Sequence, residues 1–409
     1  INSRIIGVRS PKGTGKTEAL ISLVSRLVFE GKKIYLASHR IQLCQAICKR
    51  LNIPYIDDLS KNRYGYGFVV DSFHGGGKCK VDIENNFHYM SEDYVVVVDE
   101  CEQVLWHLLS SCTEVKKHRP AIIFQFELLL ENANQIYLLD ADLSNVSVAY
   151  FQSAAKADKN DIYIISNDIK EDGYNAHIYS SPVEVVGMCA EDLANNKKIF
   201  FCTDSQKFKS KYSTQNLEIY FKNLFPDLKI LTIDSGSIAD PHHSAYGCIT
   251  KINDVVNNYD LILCSPTVGT GISIDIKNHF DAVYGIFHGV QGENAVRQQL
   301  MRLRDKVDRH LFVADRGLSF HGDGSTCLEH FLSCNKKQFK EHLNQLKNIG
   351  FDLNSDEINI NQNALNAYGK IACRINYEMK NYKQIIVENL IKEGNGVNSV
   401  DSNPDKDLK

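Results

Sequence analysis

What the sequence lacks first is an excess of charge of one sign. Its 46 basic residues stand against 50 acidic ones, a formal net charge of −4. That excludes a histone-like protein held to nucleic acid by overall charge, and leaves room only for a local basic groove. Twelve cysteines include no CxxC pair, and no signal peptide or long apolar run is evident. The pattern argues against a disulfide scaffold and a membrane partner, and points to reduced thiols in a cytosolic (cytoplasmic or nuclear) setting. Cys44 and Cys48 share a helix face. Cys327, His330 and Cys334 make three members of a zinc set with no fourth ligand evident, so no zinc is assigned. At 409 residues, 43% hydrophobic and 23% charged, the chain reads as globular and too long for one ordinary core. It opens on Ile rather than Met, directly at an apolar stretch, and reads as a piece of a longer protein.

What is present is organised around Ser10-Pro11-Lys12-Gly13-Thr14-Gly15-Lys16-Thr17. The apolar Ile5 to Val8 leads into it, and a helical pattern from Glu18 to Phe29 leads out. Strand, glycine turn and helix is the context of a phosphate-binding loop, in which backbone N–H groups and a helix N-terminus converge on phosphates. Pro11 to Thr17 would line the nucleotide, Lys16 would reach its β- and γ-phosphates, and the Thr17 hydroxyl would hold Mg²⁺. Ser10 occupies the position where the usual pattern begins with Gly.

Lys33 to Ser38 reads as a short buried strand followed by His39-Arg40 and a helix over Ile41 to Leu51. His39 and Arg40 are candidates for a phosphate backbone; Arg40 taken alone equally suits a solvated helix start. Phe68 to Val70 is a third strand, followed by Asp71-Ser72-Phe73-His74 and a glycine run, with Gly75 to Lys80 a surface loop. Tyr94 to Val98 is apolar without alternation, as a central parallel strand should be. It ends in Asp99-Glu100, whose carboxylates fit the second half of an ATPase site: Asp99 holding Mg²⁺, Glu100 polarising the attacking water. A helix over Arg119 to Asn134 precedes a strand at Gln135 to Leu139. Asp140 and Asp142 then read either as a relay of nucleotide state or as the N-cap region of a helix from Leu143 to Gln152.

After Ser166 the alternation begins again, with strands at Lys198 to Cys202, Lys229 to Ile233, Leu261 to Cys264, Ala282 to Phe287 and His310 to Val313, and a lysine-rich helix through Tyr212. No second phosphate loop is present, so this domain would not bind nucleotide by itself. Ser265 to Asp275, with Thr267, Gly269 and Thr270, suits a nucleic-acid backbone. Arg297 to Asp305 reads as a helix with Gln298, Arg302 and Arg304. Arginines two apart do not share a helix face, so one would enter the cleft as an arginine finger at the γ-phosphate, a contribution of ~10³–10⁵ in rate, while the other supports it, or the helix ends between them; a basic amphipathic helix with a solvated face is the alternative. From Gly317 the pattern turns helical to about Lys392, and Glu393 to Lys409 reads as a disordered tail.

The order of these stretches resembles the superfamily 2 helicases. SPKGTGKT looks like motif I, SHR like motif Ia, Asp71-Ser72-Phe73 falls at motif Ib, and DECE is similar to the DEAD/DEAH box. DADLS sits at motif III, SPTVGTGISID looks like motif V and QQLMRLR like motif VI. The closest group is the origin-of-replication-binding helicases of herpesviruses and of cyanobacterial plasmid replication proteins. The resemblance covers roughly residues 1 to 318. It implies an α/β fold of two tandem RecA-like parallel-sheet domains (1–165 and 166–318) of the P-loop NTPase class, with a C-terminal helical region over 319–392 and the tail over 393–409. It further implies ATP with Mg²⁺ as cofactors, single-stranded or origin duplex DNA and other replication proteins as partners, and ATP-driven DNA unwinding. Lys16, Asp99, Glu100, Gln298, Arg302 and Arg304 would be catalytic, and His39, Arg40, Ser72, Thr267, Gly269 and Thr270 would touch nucleic acid. Met301 stands where motif VI has Gly, and its second arginine arrives one residue early. A nucleotide-gated DNA-binding or assembly protein, and an RNA-directed or restriction-type ATPase, are the alternatives.

Overall fold

A computed structural model describes residues 2–11, 14–57, 65–74, 76–77, 93–169, 173–266, 273–348 and 361–400. The chain divides into two compact units, Ile1–Ile169 with Leu328–Ala372, and Lys170–Cys327 with Cys373–Lys409. Each is an α/β unit around one all-parallel sheet of RecA-like design.

The first unit runs β1 (Ile5–Arg9), α1 (Lys16–Phe29), β2 (Lys33–Ser38), α2 (Ile41–Leu51), β3 (Gly65–Val69), β4 (Tyr94–Asp99), α3 (Cys101–Ser110), α4 (Glu114–Glu131), β5 (Gln135–Asp140), α5 (Asn145–Ala154) and β6 (Ile162–Ser166). Its six strands lie in the order β3-β2-β4-β5-β1-β6. The valines of β4 are fully buried on both faces, between β2 and β5, so an unbroken apolar run outcompetes an alternating one there. The edge strand β6 was not expected. It adds to β1 in register Ile5↔Ile162 and carries the domain through Ser166 rather than ending it at 165.

The second unit comprises β7 (Asn175–Tyr179), α6 (Pro182–Ala194), β8 (Ile199–Thr203), α7 (Thr214–Leu224), β9 (Ile230–Ile233), α8 (Ser235–Ala239), α9 (Ile252–Val255), β10 (Leu261–Cys264), β11 (Ala282–Phe287), α10 (Glu293–Leu300) and β12 (Asp308–Val313). The helices α11 (Leu328–Asn348), α12 (Gln362–Lys380) and α13 (Tyr382–Lys392) follow, and β13 (Gly396–Val400) closes the described chain. The strand order is β13-β7-β12-β11-β8-β10-β9. The lysine-rich stretch before Tyr212 is turns rather than helix. Asn216 reaches back to the carbonyls of Phe208 and Ser210, and the Ser213 hydroxyl caps α7 by accepting from the Asn216 N–H.

Two expectations at the C-terminus are corrected. The helical region is not one accessory piece. Its first part packs in the first unit, where Tyr368 stacks on Trp106 with ring centroids 5.8 Å apart and Asn361 and Asn363 donate to Glu127. From Cys373 onward it belongs to the second unit. The segment after Lys392 is also not wholly tail, because Gly396–Val400 pairs in parallel with β7. Asn395 starts the strand by accepting from the Tyr174 N–H at 3.1 Å and donating to the Leu390 carbonyl at 3.0 Å. Main-chain pairing and two packed valines, Val397 and Val400, suffice; composition registers neither.

This segment is also tied by charge. The guanidinium of Arg297, 3% exposed, meets Glu293 at 2.7 and 3.1 Å and also pairs with Glu393, while Asn389 donates to Glu293 at 3.2 Å. Removing one partner of a buried charge is expensive because the other stays behind. Glu293→Ala is therefore expected to destabilise the second unit by about 3–5 kcal/mol. Glu393→Ala, which leaves the two-point Glu293 contact intact, is expected to cost about 1–3 kcal/mol. Urea unfolding followed by a probe in this unit ranks the two; equal costs, or none, would show the network to be weak.

Candidate functional site

Pairing of β1 with β5 and of β5 with β4 sets three strand ends side by side, Arg9 opposite Asp140 and Leu139 opposite Asp99. Ligands of parallel sheets gather beyond such ends. The loop after β1 reaches α1 through Gly15, at φ +82°, with no atom within 4 Å of where its Cβ would stand. That left-handed turn costs glycine little, and α1 starts without a side-chain cap. Its first N–H groups are thus free of intrahelical partners at the positive end of a 14-residue helix.

Ser10 has a local reason for standing where glycine is usual. It is buried, and its hydroxyl lies 2.6 Å from Thr14 Oγ1, which itself donates to the Pro11 carbonyl at 2.7 Å. Thr14 has one hydroxyl proton, so Ser10 donates to Thr14 and accepts from Asn167 Nδ2 at 3.0 Å. The serine braces the loop from inside. Asn167, just past β6, belongs to no motif, and nothing local in the sequence signals it. Lys16 Nζ donates to the carbonyls of Ser10 (2.5 Å) and Pro11 (3.2 Å), and Thr17 is half-buried on the first turn. Lys12 and Gly13 lie outside the described residues.

Facing this loop are carboxylates. Glu100 is the N-cap of α3 at φ +54°. For a residue with a Cβ that region costs roughly 1–2 kcal/mol, and it is found where a chain must turn sharply at a site. Glu100 accepts from Gln103 Nε2 at 3.1 Å. Asp140 accepts from the N–H groups of Glu102 (3.0 Å) and Asp142 (2.9 Å), and Glu102 accepts from that of Ser144 (2.8 Å). Ser144, rather than Asp140 or Asp142, caps α5, so Asp140 joins the start of α3 to the tip of β5. Burial, then the Asp140 charge, pushes Asp99 up to about 6, against the pull of Lys16. Burial, then Glu100, pushes Asp140 up to about 7, against the Asp142 N–H.

The place is therefore short of positive charge on its carboxylate side, and on its loop side the start of α1 offers N–H groups without intrahelical partners. The Thr17 hydroxyl and Asp99 carboxylate are hard oxygen donors of the kind Mg²⁺ takes together with phosphates. These residues fit ATP with Mg²⁺. Among the described residues no group of three or more His, Cys, Asp or Glu could hold a metal ion, and no helix is long and apolar enough to cross a membrane.

The residues expected at nucleic acid fare unequally. Arg40 is exposed, whereas His39 is 8% exposed with neither ring nitrogen hydrogen-bonded among the described residues. Ser72 is half-buried and donates to the Val69 carbonyl at 2.7 Å. Thr267, Gly269 and Thr270 lie outside the described residues. In the second unit the expected helix through Asp305 ends at Leu300 with Met301 as C-cap. Arg302, in the turn that closes the helix, and Arg304 instead flank Leu303 in a short bridge to Ile274, the Arg302 carbonyl accepting from the Ile274 N–H (2.8 Å) and the Arg304 N–H donating to the Ile274 carbonyl (3.0 Å). Arg302 is 8% exposed with Nη1 3.7 Å from Cys264 Sγ, and exposed Arg304 donates to Ser273 at 3.1 Å. Gln298 is half-buried; its neighbour Gln299 is buried and donates to the Cys264 carbonyl at 3.0 Å. Arg309 steadies the stretch through the carbonyls of Leu303 and Asp305.

No family model matches the chain. It is 36% identical over 325 residues to an uncharacterized protein of Picosynechococcus sp., and 24% identical over 318 residues to the replication origin-binding protein of human herpesvirus 7. The matches take in 76% and 75% of this chain but only 32% and 37% of those proteins, so the chain spans about a third of the curated relatives it matches. Solved structures similar to it include S. cerevisiae Dbp5 bound to RNA and ADP BeF3 (TM-score 0.47, 13% identity, 76% of this chain and 80% of that one). Another is a DEAD box protein from Methanococcus jannaschii (TM-score 0.40, 12% identity, 76% and 82%). At such scores the strand pairing itself, rather than the likeness, defines the two-sheet fold.

A carboxyl whose native pKa exceeds its unfolded value keeps a proton that the unfolded chain has released, so stability falls as pH rises between the two values. For Asp140 that window runs from 3.8 to about 7. Urea unfolding at a series of pH values, without nucleotide or divalent cations, should show stability declining across it. Asp140→Asn should flatten the decline; an unchanged slope would mean the carboxylate is better solvated or paired than this.

Proposed function

We infer that this chain is an ATP-dependent DNA helicase or translocase motor acting in replication. The observation that carries the reading is the apposition, in the first unit, of the Gly15–Thr17 helix start at the end of β1 with Asp99 and Glu100 at the end of β4. The likeness to a replication origin-binding protein, though over 37% of that protein's length, supports DNA and replication.

Bound ATP·Mg²⁺ would supply the phosphoanhydride bond whose cleavage drives the work. Lys16, which donates to the Ser10 and Pro11 carbonyls, would neutralise phosphate charge, with the α1 N–H groups beside it. Thr17 and Asp99 would hold the cation, whose charge would favour the ionised form of Asp99. Glu100, at the left-handed start of α3, would orient a water and accept its proton at the carboxylate. Asp140 communicates the position of α3 to β5. Gln298, Arg302 and Arg304 would have the roles that the resemblance to motif VI gives them, with Arg302 as the arginine finger. Arg40, Ser72 and the stretch with Thr267, Gly269 and Thr270 track a nucleic-acid backbone.

One observation favours a second reading. Arg302 is buried against Cys264 within its own unit, as befits a structural arginine, and a chain without the finger would be a nucleotide-gated DNA-binding or assembly protein. Steady-state ATP hydrolysis with and without single-stranded DNA separates the two. A motor should be stimulated severalfold, the stimulation weakening with salt as phosphate contacts do, and Arg302→Ala should lower the stimulated rate by about 10³-fold or more. Lys16→Ala should abolish hydrolysis while retaining DNA binding. A slow rate indifferent to DNA would establish the switch, and stimulation by RNA alone would reassign the substrate.

A further inference from the structure

Resting on that motor reading, a second cluster in the first unit has an arrangement that neither nucleotide binding nor core packing calls for. It consists of a carboxylate, the imidazole bonded to it and a second imidazole beside the first. Asp71, in the short turn Val70–Ser72 after β3, has Oδ1 2.5 Å from His107 Nε2 on α3. Its Oδ2 accepts the hydroxyl of Thr113, the N-cap of α4. His39, at the end of β2, lies with its ring centroid 6.2 Å from that of His107. It is buried and has no hydrogen-bond partner at either nitrogen among the described residues. Asp71 and His107 are themselves half-buried, with side chains 23% and 19% exposed. The carboxylate therefore satisfies one imidazole and leaves the other, nearer the sheet, unsatisfied, a costly state for a buried polar group.

The placement of these groups gives the cluster a direction. The helix α3 begins directly after Asp99 and Glu100, and its first turn is bound to Asp140 through the Glu102 N–H. His107 is seven residues beyond Glu100, about 10 Å along a rigid helix. Asp71 adjoins Ser72, and His39 adjoins Arg40, both on the side read as facing nucleic acid. A shift of α3 would move His107 relative to Asp71, and His39, with neither ring nitrogen hydrogen-bonded among the described residues, lies next to His107 as the second imidazole the carboxylate could bond. Coupling between sites needs an element with two discrete arrangements that both sites bias. We propose that Asp71, exchanging between His107 and His39, is that element: a positioning residue that links nucleotide state at α3 to the backbone-tracking ends of β2 and β3.

The test is ATP hydrolysis by the whole chain with and without a single-stranded dT oligonucleotide, together with oligonucleotide affinity in the absence of nucleotide. In His107→Leu, basal hydrolysis should stay within about twofold of wild type and affinity within about threefold. Stimulation by the oligonucleotide should fall about tenfold, the scale of ordinary coupling free energies. His107→Gln, whose amide nitrogen takes the place of Nε2, should recover most of the stimulation. If His107→Leu unfolds early in a thermal melt, Asp71→Asn carries the test, because it keeps volume and acceptor and removes the charge that makes the carboxylate choose. Full stimulation in the leucine or asparagine variant, or basal and stimulated rates falling together, would overturn the coupling role alone. A wild-type chain that hydrolyses ATP without responding to the oligonucleotide would overturn both this role and the motor reading.

Discussion

Negative charge held at the ends of two buried strands, within reach of one lysine, is the constraint around which the first unit is built. Asp99 and Asp140 end β4 and β5, adjacent strands in the middle of the sheet, and burial raises both. A carboxylate placed there without compensation would protonate or pull the strands apart. The compensation is local: backbone N–H groups onto Asp140, Lys16 near Asp99, and the uncapped start of α1 beyond. It is also partial, and a site so unbalanced has affinity in reserve for a cation. The same electrostatics that lower the stability of the ligand-free unit suit the metal–phosphate complex proposed for it, a familiar conflict between stability and function.

The second unit uses its strand-end carboxylates differently. Asp234 caps α8, and Asp204 accepts the N–H groups of His288 and Val290 through Oδ2, while its Oδ1 has no hydrogen-bond partner among the described residues. Its buried ions serve cohesion instead. Arg297 spans Glu293 on its own helix and Glu393 just beyond α13, so the helix preceding Arg302 and Arg304 is fixed from the far end of the described chain. A segment of low apolar content thereby becomes part of the frame that carries the arginines.

Legibility in the sequence followed the kind of interaction that decides each element. Where burial decides, the residues announce it: β2, α2, β10 and β11 fall on the expected bounds, and the valine run of β4 reads as a central strand. Where main-chain pairing decides, they do not. Asn175–Tyr179 and Gly396–Val400 hold polar residues in strands that pair with each other, the former also with β12, and pairing rather than composition makes them strands. Side-chain caps shifted other boundaries: Ser213 moved a helix beyond Tyr212, and Ser144 took the role that Asp140 and Asp142 had been offered. The site was legible as a set of motifs, because glycine, lysine and carboxylate at strand ends carry their chemistry in residue type. The left-handed Glu100, the brace of Asn167 on Ser10 and the burial of His39 were not, since each depends on a neighbour distant in sequence.

The two departures from the motif patterns have physical counterparts that bear on whether the site works. Serine in place of the first loop glycine adds a side chain where the backbone must bend closely, yet the hydroxyl is absorbed by Thr14 and Asn167, so the substitution stiffens the loop rather than blocking it. The early second arginine of QQLMRLR would be misplaced on a continuing helix, where residues two apart diverge by about half a turn. Because the helix stops at Leu300 and Leu303 bridges to Ile274, helical spacing does not govern where the two arginines lie. Met301, as the C-cap, stands at the point where the helix ends. In both places the altered residue and the altered backbone go together.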